Sequence, residues 1–166
     1  MTRDPAPAPG TVSAAHANSE VAALYQAALN VPRFTPPRIF RLVAEYGTLA
    51  SALAAPPREL APLLDLTTAE AASLQRAVAT GAAEALRQVR AAQRAGLQVV
   101  SCEHPGYPAV LHHDPVGSAP LLFVEGRLPE QLMYPSHLVR SCSVIGTRRA
   151  TPGALGFARD LGRALS

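Results

Sequence analysis

Apolar side chains recur every three or four residues from residue 19 to residue 95, which is the spacing of one face of an α-helix. Pro-rich segments and short turns separate the stretches that follow this pattern. Ser19 precedes the first apolar stretch and is a suitable N-cap for it. The pattern therefore predicts an all-α domain of several short helices over 19–95.

Residues that favour helix ends mark the boundaries of these predicted helices. Gly47 is placed to end the second helix in a left-handed conformation, and Thr48 is placed to cap the next one. Thr67 or Thr68, followed by Glu70, predicts the start of a long Ala-rich helix that reaches about residue 95.

The pattern changes after residue 96. The stretches 97–102 and 120–126 are β-rich, with 109–111 resuming the same character between them. The stretch 138–145 is apolar on both sides, which is typical of a strand covered on both faces in a parallel sheet. We therefore expect 96–166 to be an α/β segment that contains a parallel sheet.

Residues 1–18 are rich in Pro and Ala and show no apolar period. Such a segment buries too little apolar surface to offset the entropy of ordering it. We expect it to be a disordered tail, and we assign it no function.

A strand, loop and helix unit is predicted at the C-terminal end of the sequence. The strand ends at Gly146, Thr151 is a suitable N-cap, and Pro152 occupies the favoured first helical position. The start of a helix presents backbone N–H groups and the positive end of the helix dipole, which stabilise a phosphate. Arg148 and Arg149 add positive charge to the same loop, although an ordinary turn after a buried strand is the simpler interpretation of Gly146 alone.

The charge distribution points to the same segment. All 15 cationic side chains are Arg, which suits bidentate contacts to phosphate. Residues 127–166 contain six Arg and two acidic residues, a net charge of +4, whereas the preceding residues contain nine Arg and ten acidic residues, a net charge of −1. A polyanionic partner is therefore expected at the C-terminal segment.

The sequence shows no machinery for catalysis or metal binding. Cys102 and Cys142 lie in apolar runs, and we interpret them as buried free thiols of a cytoplasmic protein. The His and Cys residues lack the paired short spacings of a zinc site, and no nucleophile elbow is present. No stretch is long and apolar enough for a membrane span, and no cofactor is indicated.

Three short motifs occur in order, at Tyr107 and Pro108, at Asp114 and Pro115, and at Gly146 to Arg148. Together they resemble the DNA-processing protein A (DprA/Smf) family. They are the family's YP-x-x-L element, its D-P-P-x-x-L-x-x-x-G element and its I-G-[ST]-R-x-x-[ST]-x-x-G element, and the preceding helical region has the family's size and placement. The matching residues are Tyr107, Pro108, Leu111, Asp114, Pro115, Pro120, Leu121, Gly126, Gly146, Thr147, Arg148, Thr151 and Gly156.

This resemblance implies a non-enzymatic protein that binds single-stranded DNA, loads the RecA recombinase onto it during natural transformation, and forms a homodimer. It also implies a sterile-alpha-motif-like or helix-hairpin-helix domain over 19–95, and a Rossmann-like domain that begins at residue 96 and is incomplete at residue 166. The family's DNA-contacting loop corresponds to Gly146, Thr147 and Arg148, with Thr151 as a further candidate. Arg149 is added on the basis of its charge.

The hairpin of the helical domain is a separate candidate for DNA contact, because hairpins of this class offer backbone N–H groups to phosphate. The corresponding segment, Val31–Pro37, has no Gly and contains three prolines, which have no N–H to donate. We therefore expect a scaffold or protein-contact role for it.

Two other interpretations remain open. One is a Rossmann-like nucleotide-binding enzyme similar to phosphoribohydrolases, in which Gly146 to Thr151 hold a phosphate. The other is a protein-interaction module, in which the helical domain over 19–95 binds a partner. We interpret the sequence as a fragment or an interrupted version of the family protein.

Overall fold

The computed structural model describes residues 9–112, 118–128 and 150–165. The chain divides into two compact units, Met1–Pro135 and Ser136–Ser166. The elements of the first unit are α1 (Pro9–Leu29), α2 (Pro36–Tyr46), α3 (Leu49–Ala54), α4 (Pro57–Leu64), α5 (Thr68–Arg94), β1 (Gln98–Ser101), α6 (Ala109–His112) and β2 (Leu121–Val124). In the second unit, the described residues form α7 (Pro152–Leu165).

The core of the first unit lies between its two longest helices. α1 packs along α5, and α4 packs against the same helix. α2 contacts α3 and α4, and β1 contacts both α1 and α5. Many of the buried side chains are Ala, so the larger fully buried ones, including Tyr25, Leu42 and Leu60, fill most of the remaining space. The predicted domain boundary at residue 96 stays a prediction, although β1 belongs to the same compact unit as the helices.

The predicted end of α2 and the predicted starts of α3 and α5 are confirmed. Gly47 follows α2 with φ +77°, and Ser51 N donates to Thr48 Oγ1 at 3.0 Å. At the start of α5, Thr67 N donates to Glu70 Oε2 at 2.8 Å, while Glu70 N donates to Thr67 Oγ1 at 3.3 Å. This is a capping box, in which each residue satisfies a backbone N–H that the helix leaves free. Thr67 is therefore the cap of α5.

The first helix begins earlier than its sequence pattern predicts. α1 starts at Pro9, so residues 9–18, which were expected to belong to a disordered tail, are helical. Proline suits the first turn of a helix, and the alanines that follow have the highest helix propensity. Ser19 is buried inside the helix, where its Oγ donates to Gln93 Oε1 at 3.1 Å, so it ties α1 to α5 and is not a cap. Residues 1–8 lie outside the described part of the chain.

The two described strands pair antiparallel, so the expected parallel arrangement is wrong for them. Gln98 lies opposite Val124, and Ser101 lies opposite Leu121. A parallel sheet requires helices over both faces, whereas an antiparallel pair can leave one face open to solvent. Phe123 of β2 is 46% exposed, which shows an open face of this kind. The strand predicted at 138–145 lies outside the described residues.

The stretch 109–111 is helical rather than extended. It forms most of α6, and Leu111 N donates to Pro108 O at 3.0 Å. Tyr107, just before this turn, is buried, and its hydroxyl donates to Ala119 O at 2.9 Å. This Tyr-Pro turn therefore packs on the core. The described residues are thus mostly helical with a small antiparallel sheet, a mixed α/β arrangement.

Candidate nucleic-acid interface

The predicted DNA-binding loop lies mostly outside the residues that the structure describes. Gly146, Thr147, Arg148 and Arg149 belong to that part of the chain. Thr151 is described, and it is exposed at the start of α7. Ala154 N donates to Thr151 Oγ1 at 3.3 Å, so the predicted N-cap is confirmed.

The first turn of α7 leaves little backbone donor capacity for a ligand. Pro152 has no N–H, and the N–H groups of Ala154 and Leu155 are taken by the side chain and the carbonyl of Thr151. Among the described residues of this turn, Gly153 alone has a backbone N–H that donates to no protein acceptor. Phosphate binding here would therefore depend mainly on the arginines and the helix dipole, and less on free amides than the sequence pattern suggests.

The hairpin Val31–Pro37 packs on the helical core and uses backbone donors internally. Val31 N donates to Ala28 O at 3.0 Å, and Phe34 N donates to Val31 O at 2.8 Å. The Phe34 side chain is buried in the core. Since the prolines have no N–H to offer, these bonds leave the hairpin with few donors for a phosphate.

A shallow hollow of about 340 Å³ lies beside this hairpin. It is lined by Val31, Pro32, Arg33, Leu66, Glu70, Ser73, Leu74 and Ala77. Arg33 Nη1 and Glu70 Oε1 form an ion pair of 2.6 Å at the hollow, and this pair occupies the one guanidinium there. The hollow is therefore mostly apolar, with its charges already paired, and it offers no cationic group for a phosphate.

Glu70 couples the cap of α5 to this ion pair, and its pKa reflects both. Hydrogen bonds from the backbone N–H and the hydroxyl of Thr67, together with the Arg33 guanidinium, lower the pKa of Glu70 from 4.5 to about 2. A carboxyl group whose pKa is lowered by folding stabilises the folded state above its unfolded pKa. That contribution is lost as the pH falls through the folded pKa.

We expect Glu70→Gln to be less stable than the wild type at neutral pH, and we expect the difference to shrink as the pH falls from about 4.5 to about 2. Thermal unfolding of both proteins across this range measures the effect. The control is Glu125→Gln, which removes an exposed carboxyl directly after β2. Its thermal stability should change with pH in the same way as that of the wild type. A constant difference between Glu70→Gln and the wild type at every pH would contradict the assignment.

A polar cluster joins α1, α3 and the residues after β1, with Tyr25 and Cys102 buried and Glu103 half-buried. Tyr25 donates its hydroxyl to Glu103 Oε1 at 2.6 Å, and Leu49 N donates to the same oxygen at 2.6 Å. The Cys102 thiol donates to the Tyr25 hydroxyl at 3.2 Å. Burial raises the pKa of both Tyr25 and Cys102, and the bonds of Tyr25 to Cys102 and Glu103 raise its pKa further.

This cluster is structural rather than catalytic. A nucleophilic cysteine needs a lowered pKa and access to solvent, and Cys102 has neither. The prediction that Cys102 is a buried free thiol is confirmed, while Cys142 lies outside the described residues. The buried Tyr25 hydroxyl instead accepts from the thiol and donates to the half-buried carboxylate, so the buried polar groups are satisfied.

The strongest concentration of positive charge among the described residues lies on α5. Arg76, Arg87, Arg90 and Arg94 are all exposed. The sequence interpretation missed this feature, because it summed charge along the chain and found a net negative count before residue 127. The four arginines are spaced close to whole numbers of helical turns, which places them on one face of α5. This spacing is the sequence signal that predicts the cluster.

Within the described ranges, no group of three or more His, Cys, Asp and Glu side chains is arranged to hold a metal ion. A search of the same ranges for a helix long and apolar enough to cross a membrane finds none.

Comparison of the chain with models of protein families, with curated proteins and with solved structures gives no match.

Proposed function

We propose that this chain binds single-stranded DNA through the loop that precedes α7, with Arg148 as the principal phosphate contact. The proposal is supported by the ordered motifs that resemble the DNA-processing protein A family, of which Gly146, Thr147 and Arg148 form the central part. Its single structural support is the Thr151 cap, because this residue, two residues after Arg149 in the sequence, fixes the start of α7, the positive end of the helix dipole.

Under this proposal the protein acts in the cytoplasm as a recombination mediator that loads RecA onto single-stranded DNA during natural transformation, and it acts as a homodimer. The helical region over 19–95 then corresponds to the family's sterile-alpha-motif-like domain. The part played by the protein is binding and positioning, without catalysis or a cofactor.

The test of the DNA site is the salt dependence of binding to a labelled oligothymidylate. Each phosphate contact to a single strand contributes about 0.7 to the slope of log affinity against log salt. We expect Arg148→Ala to lower the affinity and to reduce this slope by about one such contact. Arg159→Ala, which removes an exposed arginine farther along α7, is the matched control and should keep the wild-type slope.

An unchanged affinity and slope in Arg148→Ala would refute the site. The mediator role is tested separately, by whether the protein accelerates RecA filament formation on single-stranded DNA that is already covered by a single-strand binding protein. Failure of this second assay alone would leave DNA binding intact and remove the proposed connection to RecA.

A further inference from the structure

One face of α5 carries a row of four exposed arginines, Arg76, Arg87, Arg90 and Arg94, which we call the α5 arginine row. Successive residues of an α-helix are turned by about 100°, so these four positions lie within about 40° of a single line along the helix. The buried side chains of α5 are Ala71, Leu74, Val78, Ala85 and Val89. They lie on the opposite face, so the row points away from the core.

The row is poorly neutralised by the protein itself. Glu84 is the single acidic residue in the sequence from 71 to 102, and it pairs with Arg87. No residue of the described ranges forms an ion pair with Arg76, Arg90 or Arg94. By contrast, Arg33 and Arg41 elsewhere in the same unit are held by Glu70 and Asp65.

Arginine has a high helix propensity, which favours it at exposed helical positions but does not require four of them on one face. A cation in the last turn is favoured by the helix dipole, and this accounts for Arg94. Arg87, Arg90 and Arg94 are spaced three and four residues apart, and like charges at this spacing destabilise a helix by about 0.2–0.5 kcal/mol per pair. The row therefore carries an electrostatic cost in the free protein that a bound polyanion would remove.

The chemistry of the row fits a phosphate backbone. Guanidinium groups bind phosphate oxygens in a bidentate manner, and the row extends for about 27 Å at 1.5 Å per residue, long enough for several successive phosphates. α5 contains no aromatic residue on which a base could stack. Contact would therefore be to the backbone, independent of base sequence.

We infer that the α5 arginine row is a second binding surface for single-stranded DNA, separate from the loop at Arg148. The identity of the polymer rests on the proposed function, whereas the surface itself rests on the exposure, spacing and missing neutralisation of these arginines. Arg90 and Arg94 contact the backbone directly, and Glu84 weakens the contact by competing for Arg87.

The test compares two double variants of the full chain that lose the same charge. Arg90→Gln/Arg94→Gln removes half of the row, and glutamine keeps a helix propensity close to that of arginine. Arg58→Gln/Arg127→Gln removes two exposed arginines that lie elsewhere in the same unit. Circular dichroism verifies that both variants keep their helix content, and binding to a labelled oligothymidylate is measured across a series of salt concentrations.

We expect the row variant to reduce the salt slope by about 1.4, which corresponds to two lost phosphate contacts, and to bind about tenfold or more weakly near 0.1 M salt. The control variant should keep the wild-type slope. Glu84→Gln, which removes the competing carboxylate, should bind more tightly than the wild type. An equal loss of affinity in both double variants would show that net charge, and not the position of the arginines, determines binding. That result would overturn the inference.

The other outcomes separate this inference from the proposed function. If Arg148→Ala weakens binding and the row variant does not, the proposed function stands and the row is no binding surface. If the wild type does not bind the oligonucleotide, both proposals fail. If the row variant instead loses binding to polyglutamate or to vesicles of anionic lipid while its DNA affinity is unchanged, the partner is of another class and the inference is wrong.

Discussion

Tyr25→Ala is expected to lower the free energy of unfolding by about 3–5 kcal/mol, the range for removing a large aromatic side chain from a packed core. The ring is fully buried in α1, and its hydroxyl links Glu103 with Cys102. Natural domains are stable by only about 5–15 kcal/mol, so the variant should lie close to its unfolding threshold. Urea unfolding followed by circular dichroism measures the change.

Tyr25→Phe separates the hydroxyl from the ring. It should cost about 1–3 kcal/mol, because the Cys102 thiol loses its acceptor and the Glu103 carboxylate loses one of its two donors among the described residues. Tyr46→Phe is the control, since Tyr46 is partly exposed and no described residue hydrogen-bonds its hydroxyl, and it should stay within about 0.5 kcal/mol of the wild type. Equal effects of the two Phe variants would show that the buried hydroxyl bonds contribute nothing.

Leu42→Ala should be the second severe change, with a loss of about 2–5 kcal/mol. Leu42 is fully buried in α2, and it is one of the largest fully buried side chains of the core. The cost within this range depends on how far the surrounding side chains close the cavity that its removal leaves. The same urea unfolding experiment gives the value.

Two further variants serve as comparisons for Leu42→Ala. Leu42→Met keeps most of the volume and should cost less than about 1.5 kcal/mol. Val43→Ala, at the adjacent and partly exposed position, removes less buried surface and should cost clearly less than Leu42→Ala. If Val43→Ala proved the more damaging of the two alanine variants, the assigned inner face of α2 would be wrong.

The helix ends were predictable because their chemistry is local. Thr48, Thr67 with Glu70, and Gly47 each act on backbone groups within four residues of themselves, so the sequence near them contains all the required information. Thr151 belongs to the same category, and its cap of α7 was predicted correctly. For these positions side-chain identity and spacing are sufficient.

The features that were missed depend on distant partners. Serine is a favoured N-cap residue, yet the Ser19 hydroxyl bonds to Gln93 across the interface between α1 and α5. The direction of β2 relative to β1 is a property of the pairing between two distant segments, which the apolar pattern of either strand does not encode. The α5 arginine row was missed for a different reason. A charge count along the chain ignores the helical geometry that places Arg87, Arg90 and Arg94 on one face.

The position of Glu103 has a consequence for the order in which the molecule folds. Its two donors, Tyr25 and Leu49, lie 78 and 54 residues away in the chain. Bringing such separated segments together costs chain entropy before any contact compensates for it, and proteins rich in distant contacts fold slowly. We therefore expect α2 to α5 to assemble first through their near-neighbour contacts. The docking of α1 and β1 around this carboxylate would then be the late step that sets the folding rate.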